Sequence, residues 1–528
     1  MLRMTRPSER LRLLALRLLA PADGFMNRLY GWRFNPLYHS GALVVVLFLI
    51  ILATGIYLLF FYRIGSPYAS VERLAGQAWL GRWIRTLHRY ASDAAVVAVL
   101  LHMFRMFAQG RSWGPRALAW VSGLVLLFVL LVSGWTGYVM VWDVQALALA
   151  REGARLFDAV PIFAEPISRT FVGERQLPSA FFFLNLFLHV ALPVGMGLVL
   201  WVHVARIARP ALLPPKGLLW ATTGGLFILS VLWPAALGPV ADVFRLSDRA
   251  PYDVFYSFWL PVTQVMPPWA AWAWGSALSG LLVFAPAWTR PRVGAGARPG
   301  PSVVNERLCT GCTQCYLDCP YEAIEMIARV DGREGQVARV DSRLCVSCGI
   351  CAGSCAPMGV GPPGRTGRHQ LGQVKEYVEG RVPAPGDVVI IACSRGAGGV
   401  AAGASVDGAS VFAVDCVGSM HSSVVEYLVR AGAGGVLIVS CPPRDCWHRE
   451  GPKWLEQRLY HDREAELKER VDRRRVRVAY AGLGEPAVVR AALAEYRSEV
   501  QALEAAEPEE RIELDMECEP PALEVSGR

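Results

Sequence analysis

Two long apolar segments each carry two histidines fourteen residues apart, His88 with His102 and His189 with His203. At 100° per residue, fourteen steps return a side chain to within roughly 40° of its starting direction. Each pair therefore shares one helix face, with about 21 Å of rise between its members. That separation fits inside a hydrocarbon core about 30 Å thick. An ionisable side chain in a membrane span is costly and usually serves a function. Two such helices face to face would clamp two haems, one near each membrane surface, each iron held by two histidines. The alternative, helix–helix hydrogen bonding by isolated histidines, does not account for identical spacing on both segments.

A length of 528 residues implies two or more domains. A charged fraction of 19% and a mean hydropathy of +0.32 suit a chain that is part membrane, part soluble. Charge is unevenly divided. Of the 53 Lys+Arg and 45 Asp+Glu, residues 1–300 hold 27 and 12, and the rest hold 26 and 33. All 13 cysteines lie at or after Cys309. Closely spaced cysteines in a reducing compartment read as metal ligands rather than disulfides. No nucleic-acid partner is expected.

Six spans are expected, near 39–62, 85–107, 118–142, 180–206, 217–237 and 268–289, giving an all-α membrane bundle over residues 39–290. Residues 1–38 include the basic amphipathic stretch Leu11–Ala20, which should lie on the membrane surface. Arginines set the orientation. Seven precede the first span, and Arg111, Arg116, Arg206, Arg209, Lys216, Arg290, Arg292 and Arg298 flank one side. The opposite loops 143–179 and 238–267 carry eight carboxylates against six arginines. Both termini and everything after the last span are thus expected in the cytoplasm of a cell with this multi-pass protein in its inner membrane. His88 and His189 then lie towards the outer surface, and His102 and His203 towards the cytoplasm.

A Pro/Gly/Arg linker leads to an α+β cysteine-rich domain at 302–362. Residues 380–503 alternate β-branched runs with helical ones, a βαβ pattern with a parallel sheet. The acidic stretch 504–528 reads as a tail, with Cys518 alone in it.

From about Leu29 to Arg209, and more weakly to Trp288, the chain resembles the cytochrome b of quinol-oxidising cytochrome bc complexes. Gly41 and Gly55, and Gly123 and Gly137, repeat the fourteen-residue step, and Pro193 follows His189 by four. Such glycines let a haem approach a helix backbone, or serve ordinary small-residue packing. Arg89 and Arg105 stand beside histidines, as partners for haem propionates or as interfacial anchors. The resemblance implies two b haems and quinone sites. The stretches Gly137–Ala146 and Ala159–Phe163 resemble those framing the quinol-oxidation pocket. Where the family has Pro-Glu-Trp-Tyr, this chain has Pro251-Tyr252-Asp253-Val254-Phe255-Tyr256, so Asp253 is the candidate quinol proton acceptor, or else a solvated loop residue. In the photosynthetic branch a cysteine near the first span holds an extra haem; here His39 takes that place, as a ligand, an inner quinone residue or an interfacial histidine.

Cys309-x₂-Cys312-x₂-Cys315-x₃-Cys319-Pro320 is the bacterial ferredoxin run, and Cys345, Cys348, Cys351 and Cys355 repeat it. In two-cluster ferredoxins the fourth cysteine of each run serves the other cluster. Cys309, Cys312, Cys315 and Cys355 should hold one [4Fe–4S], and Cys345, Cys348, Cys351 and Cys319 the second. Cys393, Cys416 and Cys441 end three β runs, with Cys446 five residues on. Ligands of parallel sheets bind beyond the carboxyl ends of strands. The segment Val414–Arg458 resembles the delta subunit of methyl-viologen-reducing hydrogenase, which implies a [2Fe–2S] cluster at these four cysteines and a flavoprotein partner of heterodisulfide-reductase type. Buried structural thiols are the alternative. Asp445, Trp447 and His448 match the family locally.

These features lead to the expectation of a membrane electron-transfer subunit of a quinone-linked oxidoreductase, within a multi-subunit complex for which a dimer is one option. Two other readings stay open. One is the cytochrome b of a bc-type Q-cycle complex with Rieske and c-type cytochrome partners. The other makes the third domain a docking module for a flavoprotein or hydrogenase.

Overall fold

A computed structural model describes residues 7–160, 162, 165–171, 177–204, 212–244, 253–290, 300–384, 386–394, 405–461, 463, 465–482 and 485–517, with backbone alone for 115 and 507–517. Pro251, Tyr252, Arg206, Arg209, Arg292, Arg298 and Cys518 lie outside the described residues, as do parts of the Ala159–Phe163 stretch and of the linker. The chain divides into two compact units, Met1–Leu19 with Phe25–Pro291, and Ala20–Gly24 with Arg292–Arg528.

The first unit is helical. α1 (Pro7–Phe34) turns at Gly31, whose φ of 68° lies in the left-handed region. α2 (Ser40–Phe61) follows, then α3 (Pro67–Gly76), α4 (Gly81–Ala108) and α5 (Ala117–Val141). Trp142 takes a left-handed conformation and ends α5, and the Asp143 carboxylate accepts from Ala146 N to begin α6 (Val144–Asp158). α6 lies in a segment expected as a loop. It is amphipathic and buries Leu147, Leu149, Ala150 and Ala154. α7 (Ser179–Trp201), α8 (Lys216–Leu232), α9 (Leu260–Val265), α10 (Pro268–Val283) and α11 (Ala285–Trp288) complete the unit.

Among the described residues four helices, α2, α4, α5 and α7, are long and apolar enough to cross a membrane. The fifth and sixth expected spans are shorter, with 17 residues in α8 and 16 in α10. α8 stops at Trp233 because Pro234 disfavours helical backbone in the residue before it. α10 starts at Pro268 as expected but ends at Val283, and α11 begins after Phe284. The four long helices pack as two pairs, α2 against α4 and α5 against α7. Large apolar side chains such as Phe60 (82% exposed) and Phe128 (68%) point away from the bundle, as lipid contact requires.

The second unit begins with β1 (Val303–Val304), a short α12 (Gln314–Leu317), β2 (Ile324–Ala328), β3 (Gln336–Val340), α13 (Ile350–Ser354) and β4 (Val360–Gly361). β1 pairs with β4, and β2 with β3, both antiparallel. After α14 (Gly367–Gly380) comes a five-stranded sheet. Its strands are β5 (Val388–Cys393), β6 (Ser405–Val406), β7 (Ala409–Val414), β8 (Gly435–Ser440) and β9 (Val476–Tyr480), in the order β6-β7-β5-β8-β9. All pairs are parallel except the β6–β7 edge. α15 (Ser422–Arg430), α16 (Gly451–Tyr460) and α17 (Pro486–Glu517) supply the helices. β5 and β8 are buried along their whole length, as central parallel strands are. The acidic stretch expected as a tail continues α17 to Glu517.

Candidate functional site

The membrane histidines are held by a repeated device. His88 and His102 stand on α4, and the glycines facing them, Gly55 and Gly41, on its partner α2. His189 stands on α7 and His203 just beyond its last residue, opposite Gly137 and Gly123 on α5. A Cβ placed on Gly41, Gly55, Gly123 or Gly137 would lie 3.0, 3.2, 3.7 or 2.8 Å from Cε1 of His102, His88, His203 or His189. Each glycine thus leaves the space that one imidazole occupies. His88 and His189 face each other with ring centroids 6.2 Å apart.

The residue before each glycine carries a hydroxyl, and sequence reading passed over it. Ser40 Oγ lies 3.2 Å from His102 Nδ1, Thr54 Oγ1 2.9 Å from His88 Nδ1, Ser122 Oγ 2.7 Å from His203 Nδ1 and Thr136 Oγ1 3.3 Å from His189 Nδ1. Thr54, Ser122 and Thr136 donate their own protons to helix carbonyls. Their lone pairs are therefore left to accept an Nδ1–H. His88 Nδ1 also donates to Ile51 O (3.1 Å), and His189 Nδ1 to Ser133 O (2.9 Å). A proton fixed on Nδ1 leaves Nε2 as the lone-pair nitrogen, which is the tautomer an iron ligand needs. The residues present therefore fit two haems.

Arg105 is buried with its guanidinium 4.5 Å from the Tyr38 ring centroid. Arg89 lies 5.0 Å from the Tyr138 ring centroid, and its Nε is 3.9 Å from Asp93 Oδ2. His39 is buried and donates from Nε2 to Arg33 O at 3.0 Å, so that nitrogen is occupied by backbone. Asp253 Oδ1 accepts from Phe255 N (2.7 Å) and Tyr256 N (2.9 Å), and Oδ2 from Gln145 Nε2 (3.3 Å). It caps its own turn rather than pointing into solvent. Tyr256 is buried over Gly134, its ring 5.7 Å from that of Tyr138 and its hydroxyl 2.5 Å from Ser92 Oγ. Asp93, a carboxylate in a span, was also passed over. Arg89, Asp93, Tyr138, Gln145, Asp253 and Tyr256 thus form a polar cluster beside His88.

In the second unit the two cysteine runs have matching backbones. Gly311 and Thr313 in the first run, and Ser347 and Gly349 in the second, all take positive φ, at 77°, 67°, 58° and 77°. These left-handed turns fold each run back on itself. Cys309, Cys312, Cys315 and Cys355 line one cavity with Val304, Met326 and Val360. Cys319, Cys345, Cys348 and Cys351 form the other group: Cys351, Cys319 and Cys345 lie close enough to push the Cys348 thiol up, and Cys319 and Cys345 the Cys351 thiol. The fourth cysteine of each run therefore stands with the other run. Ser302 N donates to Cys345 Sγ (3.3 Å), Ala323 N to Cys319 Sγ (3.3 Å) and Gly359 N to Cys355 Sγ (3.2 Å). Burial is the main cause that pushes the Cys351 thiol up to about 12 and the Cys348 thiol well up. As thiolates they need a compensating cation, and this donor set suits iron–sulfur clusters.

Cys393 ends β5, Cys416 and Cys441 follow β7 and β8, and Cys446 closes the next turn. Because the three strands are parallel, these ends share one edge of the sheet. All four are buried. Cys416 and Cys441 each lie within hydrogen-bond reach of both Cys393 and Cys446, and those bonds hold the Cys446 thiol well below its usual range. Gly451 closes the site, since a Cβ there would come 3.0 Å from Cys416 Sγ and 3.2 Å from Cys446 Sγ. Among the described residues no three His, Cys, Asp or Glu side chains close on a single ion. Asp445 and His448 are buried beside this site.

Three family models match the chain in order. Cytochrome b/b6/petB matches residues 27–210, the 4Fe-4S dicluster domain 308–359, and the methyl-viologen-reducing hydrogenase delta subunit 388–504. A solved structure described as a hyperthermophilic respiratory Complex III is similar at 18% identity, covering 47% of this chain and 75% of that one, with a TM-score of 0.39. The chain thus joins three redox regions and is an integral membrane electron-transfer protein. The cytochrome b region implies haem b, and the dicluster region implies [4Fe–4S] clusters.

Proposed function

We propose that this chain is the membrane subunit of a quinone-linked oxidoreductase complex, carrying electrons between cytoplasmic iron–sulfur centres and the quinone pool by way of two b haems. One observation carries the reading. A single chain combines four histidines, each poised on a hydroxyl and a glycine, with three sets of four cysteines. Bound haems and clusters supply one-electron carriers; the protein supplies position and potential.

His88 with His189 would hold the outer haem, and His102 with His203 the inner one. Arg89 and Arg105 stand near the histidines as propionate partners. Cys309, Cys312, Cys315 and Cys355, and Cys319, Cys345, Cys348 and Cys351, would hold two [4Fe–4S] clusters. Cys393, Cys416, Cys441 and Cys446 would hold a [2Fe–2S]. The convergence of these last four thiols favours a cofactor over a docking role alone. A soluble flavoprotein of heterodisulfide-reductase type is the partner proposed for that region. The flanking arginines favour cytoplasmic termini and cysteine domains.

A second reading, a bc-type complex with Rieske and c-type cytochrome partners outside, is favoured by the polar cluster beside His88. There Asp253 would accept a quinol proton, with Asp93 close by on α4. The test is to supply a quinol to the purified chain without oxygen and follow the b-haem absorbance. Reduction of both haems is expected, with a several-fold slower rate in Asp253→Asn if the outer pocket is used. Haems that remain oxidised under an excess of low-potential quinol would refute the quinone link.

A further inference from the structure

The cysteine-rich region and the α/β region of the second unit are tied together by one buried guanidinium. Arg458, on α16, is 2% exposed. Its Nη1 donates to Gly418 O (2.9 Å) and Met420 O (3.2 Å), just after Cys416. Its Nη2 donates to Ile350 O (3.1 Å), just before Cys351, and to Ser354 Oγ (3.0 Å), just before Cys355. Around it, Asp318 Oδ2 accepts from Ser354 Oγ (2.6 Å) and Oδ1 from Arg463 Nη2 (2.6 Å). Arg449, three residues after Cys446, donates to Pro320 O (2.9 Å) and lies 4.2 Å from the Tyr321 ring centroid. A Cβ on Gly349 would come 3.0 Å from Ser419 Cβ.

These contacts do not fall evenly on the two ferredoxin sets. Asp318, Pro320 and Tyr321 flank Cys319, and Ile350 precedes Cys351. The α/β region also meets the other set, at Gln314 through Arg463 and at Cys355 through His421. Yet the cavity of Cys309, Cys312, Cys315 and Cys355 is lined by residues between Val304 and Val360 alone.

We propose that Arg458 is a positioning residue that makes the Cys319–Cys345–Cys348–Cys351 set the immediate redox neighbour of the Cys393–Cys416–Cys441–Cys446 set, leaving the other ferredoxin set one step further along. The inference rests on the reading that both sets hold iron–sulfur centres. One electron at a time then moves between them, oxidising one and reducing the other, with no bond made or broken. The soluble redox partner and the quinone are the terminal donor and acceptor. A buried cation with four donated bonds is strong glue, because breaking it strands both the charge and its acceptors.

The experiment uses the full-length chain. Iron, acid-labile sulfide and haem are measured first. Electron paramagnetic resonance then records how reduction of one centre broadens the signal of the other. Arg458→Met should keep wild-type iron and lose the broadening, and Arg458→Lys should retain part of it. Should Arg458→Met lose iron, Gly353→Ala decides. Its new Cβ would press on Arg458 and lie 2.7 Å from Met420 O, nearer to both than to any cysteine atom. It should weaken the broadening with iron intact. Cys312→Ser, on the far set, should leave the broadening in place. Unchanged broadening in iron-replete Arg458→Met and Gly353→Ala overturns the proposal, as does its loss in Cys312→Ser. A wild-type α/β region without iron would instead sink the cofactor reading, and metal analysis distinguishes the two failures.

Discussion

Each membrane histidine depends on two small neighbours, a glycine that makes space and a hydroxyl one position earlier that holds Nδ1. The four histidines and four glycines were visible as fourteen-residue steps. The hydroxyls were equally visible, as Ser40-Gly41, Thr54-Gly55, Ser122-Gly123 and Thr136-Gly137. They went unread because a serine or threonine in an apolar helix ordinarily bonds its own backbone. Only the packing of α2 on α4 and of α5 on α7 reveals the second partner. Arg458 was not legible at all, since its acceptors lie 38 to 108 residues away along the chain. Partners that orient a metal-binding histidine typically change metal affinity about 10–100-fold when removed. Ser122→Ala should therefore weaken haem retention at His203 by about that factor and leave the His88–His189 haem unchanged. Haem titration of the stripped protein measures it; equal weakening of both haems would contradict separate holders.

Among the elements, the four long helices were readable from length and apolarity, and the parallel strands from their β-branched runs. Three features were misjudged for local reasons. Pro234 shortens α8, and the break at Phe284 shortens α10, below a full span. α6 sits between carboxylates and arginines that read as a loop, although Ala146, Leu149, Ala150 and Gly153 repeat on one buried face. The acidic run after Glu504 has helix-forming Glu and Ala, and α17 simply continues. The crossing of the ferredoxin runs was expected from spacing; the matched left-handed turns gather the first three cysteines of each run, and Cys355 lines the cavity of the first run. Cys319→Ser should accordingly damage the cluster of Cys345, Cys348 and Cys351, not that of its own run. Spectroscopy of the two clusters decides, and selective loss of the signal tied to Cys309, Cys312 and Cys315 would contradict the crossing.

For the whole molecule, the uneven arginines favour one orientation across the membrane. Protease added outside intact cells should leave residues 302–503 uncut, whereas permeabilised cells should release fragments from that region. Cleavage in intact cells would invert the proposed topology. The same scheme makes the α/β region the entry point for a soluble donor. The most direct measurement compares the intact chain with one lacking residues 370–528, each given a reduced low-potential flavoprotein under anaerobic conditions while b-haem absorbance is followed. Both proteins should carry two haems, and only the intact chain should show rapid haem reduction. Equal rates in the two would mean that electrons reach the haems without the cysteine sets of the α/β region, and would contradict a single path joining them.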